Sequence, residues 1–160
     1  MPKNLLTLPS LLVAFAVLTS ASTADAVLGL GVGVRGGSQV SGLKGAVFGA
    51  HIQKSLMPLL SARPTVEVLK KGGVTVINPT LDLFINLNPV GVGPKPYIGG
   101  GAGISRVLDV TGTTNKASYN ILGGVRLGLV PMLQAFVEVK AVFVQSNRST
   151  RVLAGVNLNL

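Results

Sequence analysis

The chain has 160 residues, of which 14 are lysine or arginine and five are aspartate or glutamate, so its formal net charge is +9. It contains no cysteine, which excludes a disulfide-stabilised extracellular scaffold. Hydrophobic residues make up 48% of the chain and charged residues only 12%, an apolar balance for a secreted domain of this length. The composition therefore predicts one domain with a large apolar surface to cover.

The first 26 residues have the pattern of a secretory signal peptide. Lys3 supplies the positive n-region, residues 11–18 form the apolar h-region, and residues 24–26 give an A-x-A cleavage pattern. The apolar stretch is shorter than the ~20 residues that a membrane-spanning helix needs, so cleavage after Ala26 is favoured over an uncleaved anchor. We therefore expect residues 1–26 to be a signal peptide and residues 27–160 to be the single domain.

Apolar residues alternate with polar or very small ones along the rest of the chain. Leu81, Leu83 and Ile85, for example, alternate with Asp82 and Phe84, which is the period of a strand with two unlike faces. Turn signals separate such segments at residues 38–42, 70–73, 88–95, 111–116, 130–132 and 146–150. The eight predicted strands comprise residues 27–35, 43–53, 62–69, 74–87, 96–107, 119–129, 134–144 and 151–160.

An even number of short amphipathic strands joined by hairpins predicts an all-β fold, an antiparallel up-and-down transmembrane barrel of eight strands. Each strand has about the 9–11 residues that cross a bilayer at a tilt, and only closure satisfies the backbone in lipid. Two features stay open: the facing of the glycine-rich strand 96–107, and residues 54–60, which could hold a helical turn. Both chain ends of an even barrel should lie on the periplasmic side.

Two segments resemble the small outer-membrane β-barrel proteins of Gram-negative bacteria, the OmpA/OmpX-like barrels. Residues 96–103, PYIGGGAG, resemble their proline–aromatic–glycine strand, and residues 136–140, FVEVK, resemble the penultimate strand with its inward glutamate. The resemblance implies a structural or surface-interaction protein of the bacterial outer membrane, without enzymatic activity. It also implies that the outer-membrane assembly machinery is a partner.

Several charged residues fall on the predicted inner faces. Charges in a dry lumen are costly alone, so we expect them to pair in a network that plugs the barrel. The alternative is a narrow pore for small solutes or ions; a wide channel is not expected, because eight strands leave room only for side chains. A tight turn near Pro131 would put Arg126 opposite Phe136 and diagonal to Glu138. The predicted network comprises Arg63, Glu67, Asp82, Arg126, Glu138 and Lys140.

Basic residues gather at the end of the predicted barrel that carries the odd-to-even turns. We expect this rim to face outward and to bind phosphates of lipopolysaccharide, alongside the outer-membrane lipid; the alternative is ordinary solvated loop charge. Nucleic acid is not expected as a partner, because a secreted chain rarely meets a genome. Lys54 and Lys95 map to the opposite end. The predicted rim comprises Lys44, Lys70, Lys71, Arg106, Lys116, Arg148 and Arg151.

No catalytic, metal or cofactor-binding site is predicted. Residues 31–36, GVGVRG, match a dinucleotide-binding pattern, but they lie largely within a predicted strand and no helix follows. His51 is the one histidine; a metal site on it is not expected, and a hydrolase would need a serine and an acid beside it. His51 is therefore expected to be an inward polar filler.

One further alternative is a soluble periplasmic barrel that binds an apolar ligand. In that arrangement the apolar faces of the strands would point inward and line the interior. The oligomeric state is not predicted. The residues that would line such an interior are Leu28, Leu30, Val32, Leu81, Leu83, Val156 and Leu158.

Overall fold

The computed structural model describes residues 29–88, 93–130 and 132–160, and the strands of this part of the chain form one closed sheet. Neighbours in chain order pair antiparallel, and the first strand pairs with the last, which closes the barrel. The predicted eight-stranded up-and-down barrel is confirmed, whereas the predicted signal peptide lies outside the described residues. The strands are β1 (Leu30–Gln39), β2 (Gly45–Ser55), β3 (Leu60–Lys71), β4 (Val74–Asn86), β5 (Lys95–Asp109), β6 (Gly112–Val130), β7 (Leu133–Val144) and β8 (Asn147–Asn159).

The two ends of the barrel differ in what they carry. The lower end holds the start of β1 and the end of β8, together with the β2–β3, β4–β5 and β6–β7 connections. The upper end holds the four connections that follow the odd-numbered strands. No helix long and apolar enough to cross a membrane occurs in the described ranges.

Side chains alternate between the outside and the inside of the barrel along every strand. Val34, Ile121 and Val137 on the outside are each more than half exposed, while Phe84 and Leu122 on the inside are almost fully buried. In the glycine-rich β5, whose facing the sequence left open, the isoleucines point outward and Tyr97 and Ser105 point inward. The outer wall is thus apolar, and the interior carries the polar and charged groups.

Three hairpins extend further than the turn signals predicted, which corrects the expected loops at residues 38–42, 111–116 and 146–150. β1 runs to Gln39, β6 begins at Gly112 and β8 begins at Asn147. The ladder is made by backbone N–H and C=O groups, so polar side chains can continue it where both faces meet water. At the lower end, residues 54–60 form no helical turn: β2 continues to Ser55, and the amide of Leu56 donates to the carbonyl of Leu60 at 2.9 Å.

The tight turns at the upper end use residues suited to them. Gly72 and Gly73 both have positive φ, 52° and 83°, as a two-residue hairpin turn of the primed type requires. In the β5–β6 turn, the carboxylate of Asp109 accepts from the hydroxyl of Thr111 at 2.5 Å and from its amide at 2.8 Å. These bonds hold the pKa of the exposed Asp109 below its ordinary value.

Two prolines interrupt the ladders on either side of the β3–β4 hairpin. The β2–β3 ladder breaks at Pro64 and the β4–β5 ladder breaks at Pro79, because proline has no N–H to donate. Opposite Pro79, the carbonyl of Ile104 accepts instead from the side-chain amide of Asn78 at 3.1 Å. A lumen side chain therefore replaces a missing backbone donor in the wall.

Glycine is required where the wall and the lumen contents come closest. A Cβ on Gly99 would lie 2.5 Å from Cβ of Phe84 and would also meet the carbonyl oxygen of Leu83. Gly128, near the lower end, has no atom within 4 Å of the position its Cβ would take. The two positions differ in the space available, and both lie in strands.

We expect Gly99→Ala to destabilise the barrel by about 1–3 kcal/mol, because a neighbouring strand must move to make room. The measurement is unfolding of the protein in detergent micelles, followed by the shift in gel mobility between the folded and the heated form. Gly128→Ala is the matched control and should leave stability unchanged or slightly raised. Equal losses for the two variants would contradict the steric argument.

Candidate functional site in the barrel interior

Six charged side chains form a closed ring in the lumen, in which every cation contacts two carboxylates and every carboxylate contacts at least two cations. They come from β1, β3, β4 and β7, and each has 3% exposure or less. We call this set the charge ring. Its members, in order around the ring, are Arg35, Glu67, Lys140, Asp82, Arg63 and Glu138.

Glu138 on β7 connects three other strands across the lumen. Its carboxylate accepts from Arg63 at 2.5 Å and from Arg35 at 3.0 Å. The hydroxyl of Tyr97 on β5 donates to the same carboxylate at 2.8 Å. Strands β1, β3 and β5 are therefore tied to β7 through one acid.

The other half of the ring is centred on Lys140. Its ammonium donates to Asp82 at 3.0 Å and lies 3.4 Å from Glu67. Asp82 also lies 3.6 Å from the guanidinium of Arg63 and accepts from the amide of Asn120 at 2.9 Å. These contacts close the ring and leave its six charges balanced, three against three.

Arg151 corrects one of the predictions made for the basic rim. It was predicted to lie on the outer rim, but the structure buries it at 4% exposure inside the barrel. Its guanidinium donates to Glu67, to Gln39 at 3.0 Å and to Asn78 at 3.2 Å. The reason is that β8 starts four residues before the predicted strand, so position 151 lies below the mouth, on the inward-facing parity.

Arg126 lies in the lumen, below the charge ring. It pairs with Phe136 across β6 and β7 in the predicted register. However, its guanidinium donates to Asn86 and contacts no carboxylate of the described residues within 4.0 Å. Its Cζ lies 4.8 Å from the ring centroid of Tyr97 and 5.0 Å from that of Phe84, within the range of cation–π attraction. The diagonal contact with Glu138 is thus not made.

The charge ring includes one member that the sequence argument did not select. Arg35 was placed on the inner face of the first strand but was left out of the predicted network. Its partners Glu67 and Glu138 are 32 and 103 residues away along the chain. In the sequence, Arg35 is an arginine at an inward position among glycines. This pattern identifies the face on which it lies but not the residues that it contacts.

His51 also lies in this interior, with 4% exposure. Its Nδ1 accepts from Arg35 at 3.1 Å, and its Nε2 lies 2.5 Å from the side-chain oxygen of Asn157. This pairing describes a neutral imidazole that donates from Nε2. Among the described residues, neither a serine nor an acid hydrogen-bonds the ring, so the hydrolase arrangement considered for His51 is not formed.

The remaining basic residues of the predicted rim all lie at the upper end. Lys116 is half-buried and the others are exposed. Arg148 lies over the ring of Phe143 at 5.8 Å, and Phe143 stacks on Tyr119 with ring centroids 5.0 Å apart. We call this set the upper rim: Lys44, Lys70, Lys71, Arg106, Lys116 and Arg148.

Solved structures of small membrane barrels share this architecture. The N-terminal β-barrel domain of Pseudomonas aeruginosa OprF has a TM-score of 0.74 at 15% identity, over 82% of this chain and 97% of that one. Neisserial surface protein A has a TM-score of 0.68 at 15% identity, over 83% and 97%. The chain has the fold of the eight-stranded outer-membrane barrels.

The same fold is found in Ail of Yersinia pestis, solved with the heparin analogue sucrose octasulfate. Its TM-score is 0.52 at 9% identity, over 83% of this chain and 97% of that one. No protein-family profile and no curated protein matches the sequence. The solved structures above confirm the resemblance drawn from residues 96–103 and 136–140, for the architecture of an outer-membrane barrel.

The arrangement required for a soluble barrel with an apolar lumen is inverted in the structure. Leu30, Val32, Leu81, Leu83, Val156 and Leu158, which would have lined that interior, are each between 38% and 47% exposed on the outside; Leu28 lies outside the described residues. A recess of about 800 Å³ at mid-height is lined mostly by outward-facing apolar side chains, including Val34, Pro64 and Pro79. The apolar surface of this barrel is its outer wall, which contradicts the alternative of an apolar interior.

We expect Glu138→Gln to destabilise the barrel by about 3–5 kcal/mol, since it leaves Arg35 and Arg63 short of a buried counter-charge. The measurement is the midpoint of guanidinium unfolding in detergent micelles. Asp109→Asn is the control, because it neutralises an acid in an exposed turn. A loss below about 1 kcal/mol for Glu138→Gln would show that the charge ring is not a source of stability.

Proposed function

We propose that the protein is an integral outer-membrane barrel, non-enzymatic and non-conducting, with a structural and surface-interaction role. The observation that carries this proposal is the closed charge ring across the lumen. A barrel of eight strands has an interior that side chains alone can fill. Here the side chains of the charge ring fill it, and their charges are already paired with one another. An entering ion would therefore find neither space nor an unpaired charge in the ring.

The outer wall supports insertion in a membrane. Every strand exposes an apolar side chain on it, which is Phe48 in β2 and leucine, valine or isoleucine in the other seven strands. A closed barrel also leaves no unpaired edge in the hydrocarbon region. In water, this much contiguous apolar surface would promote aggregation. An orientation with the lower end in the periplasm would follow from the even number of strands.

The upper rim supports a surface role. Six basic residues surround the upper end, while Asp109 is the one acid of the described residues found there. An aromatic pair lies beneath Arg148 on the outer face, at a height that suits the boundary between acyl chains and head groups. We propose that the upper rim binds the phosphates of lipopolysaccharide.

A narrow pore is the second candidate function, favoured by the polar groups that run from Gln39 at the top through the charge ring to Arg126 below. Conductance across planar bilayers separates the two candidates. We expect the protein to give no steady current, because the ion pairs of the charge ring fill the cross-section. A steady current proportional to voltage, absent from bilayers treated with detergent alone, would favour the pore instead.

The lipopolysaccharide proposal is tested on Lys70, Lys71 and Arg148. Replacing all three by glutamine should weaken lipopolysaccharide binding by about a hundredfold, given ~1 kcal/mol for each basic residue near an anionic surface. The measurement is the affinity of the folded protein for lipopolysaccharide in mixed micelles. Lys54→Gln, at the lower end, is the control. Unchanged affinity in the triple variant would show that the upper rim is ordinary solvated charge.

A further inference from the structure

The lumen carries more positive than negative charge. The charge ring is balanced, but Arg151 and Arg126 add two cations to it among the buried side chains of the described residues. Arg151 shares Glu67 with the ring and has two further polar partners. Arg126 has no carboxylate within 4.0 Å among the described residues, and its hydrogen bond goes to the neutral Asn86.

Arg126 also faces a second cation. Lys95 is its direct cross-strand partner in the β5–β6 ladder, so the two side chains start from the same inward face. Like charges directly opposite one another in a sheet are destabilising, and both residues are at least partly withdrawn from water: Arg126 has 8% exposure and Lys95 is half-buried. The Nε of Arg126 is buried without a partner in the described part of the chain.

Among the described residues, the chain offers no acid that could neutralise this pair. Of its five acids, Glu67, Asp82 and Glu138 belong to the charge ring, and Asp109 is in an upper turn. The fifth, Asp25, falls within the predicted signal peptide. The described residues therefore supply no counter-charge for this pair.

We propose that the lower mouth of the lumen binds a small oxyanion between the guanidinium of Arg126 and the ammonium of Lys95. Arginine presents a planar fork of donors that matches a carboxylate or a phosphate, and lysine adds a point charge. The hydrogen bond to Asn86 and the contacts with Tyr97 and Phe84 fix the guanidinium in place. An oxyanion would place a negative charge between the two like charges.

The test is the thermal stability of the folded protein in an uncharged detergent, with inorganic phosphate, acetate or chloride at equal ionic strength. Phosphate or acetate at ten times its Kd should raise the unfolding midpoint by about 5 °C over chloride. An increase with phosphate alone assigns a phosphate site, with acetate alone a carboxylate site, and with both a general oxyanion site. Equal midpoints in all three salts would overturn the proposal.

Variants of Lys95 locate the effect without removing a buried group. Lys95→Gln should weaken the anion's affinity by about tenfold or more, whereas Lys54→Gln, a lysine of the same end, should retain it. Lys95→Glu places a carboxylate opposite Arg126, so it should raise the midpoint in chloride and abolish the response to added anion. A full anion response in both Lys95 variants would place the binding elsewhere and refute the proposed site.

Discussion

Charge buried inside a narrow barrel has to be neutralised, and in the charge ring the barrel's own strands supply the groups that do this. Glu138 shows how this is done: from β7 it contacts Arg35 on β1, Arg63 on β3 and the hydroxyl of Tyr97 on β5. These are alternate strands, whose inward residues meet at one height in a tilted barrel. Backbone hydrogen bonds join neighbouring strands into the wall. The charge ring joins strands on opposite sides of the lumen.

The charge ring and the wall also depend on each other in detail. Asn78 donates to the backbone of β5 where Pro79 cannot, and its side-chain oxygen accepts from Arg151. Arg151 in turn contacts Glu67, a member of the ring. One hydrogen-bonded path thus leads from a gap in the ladder to the centre of the lumen.

The protein separates its charge into three regions with different chemistry. The charge ring is balanced and closed off from solvent. The upper rim is basic and mostly exposed, in reach of anionic groups at a membrane surface. The lower mouth holds two cations partly withdrawn from water, a setting in which an oxyanion interacts more strongly than it would with an exposed charge. The net charge of +9 is therefore unevenly distributed: the charge ring is neutral, and the upper rim and the lower mouth are positive.

The sequence by itself determined the number of strands, their order and, outside the glycine-rich β5, which side chains face inward, because a period of two is a local property of each strand. Leu83, Asp82 and Glu138 lie on the predicted faces for this reason. Only the tertiary structure decided which inward groups meet. Those contacts depend on the stagger of the strands around the barrel, which sets the height of each side chain. For this reason the sequence did not predict that Arg35 belongs to the charge ring or that Arg151 lies in the lumen. It also did not predict that Arg126 contacts no acid of the described residues.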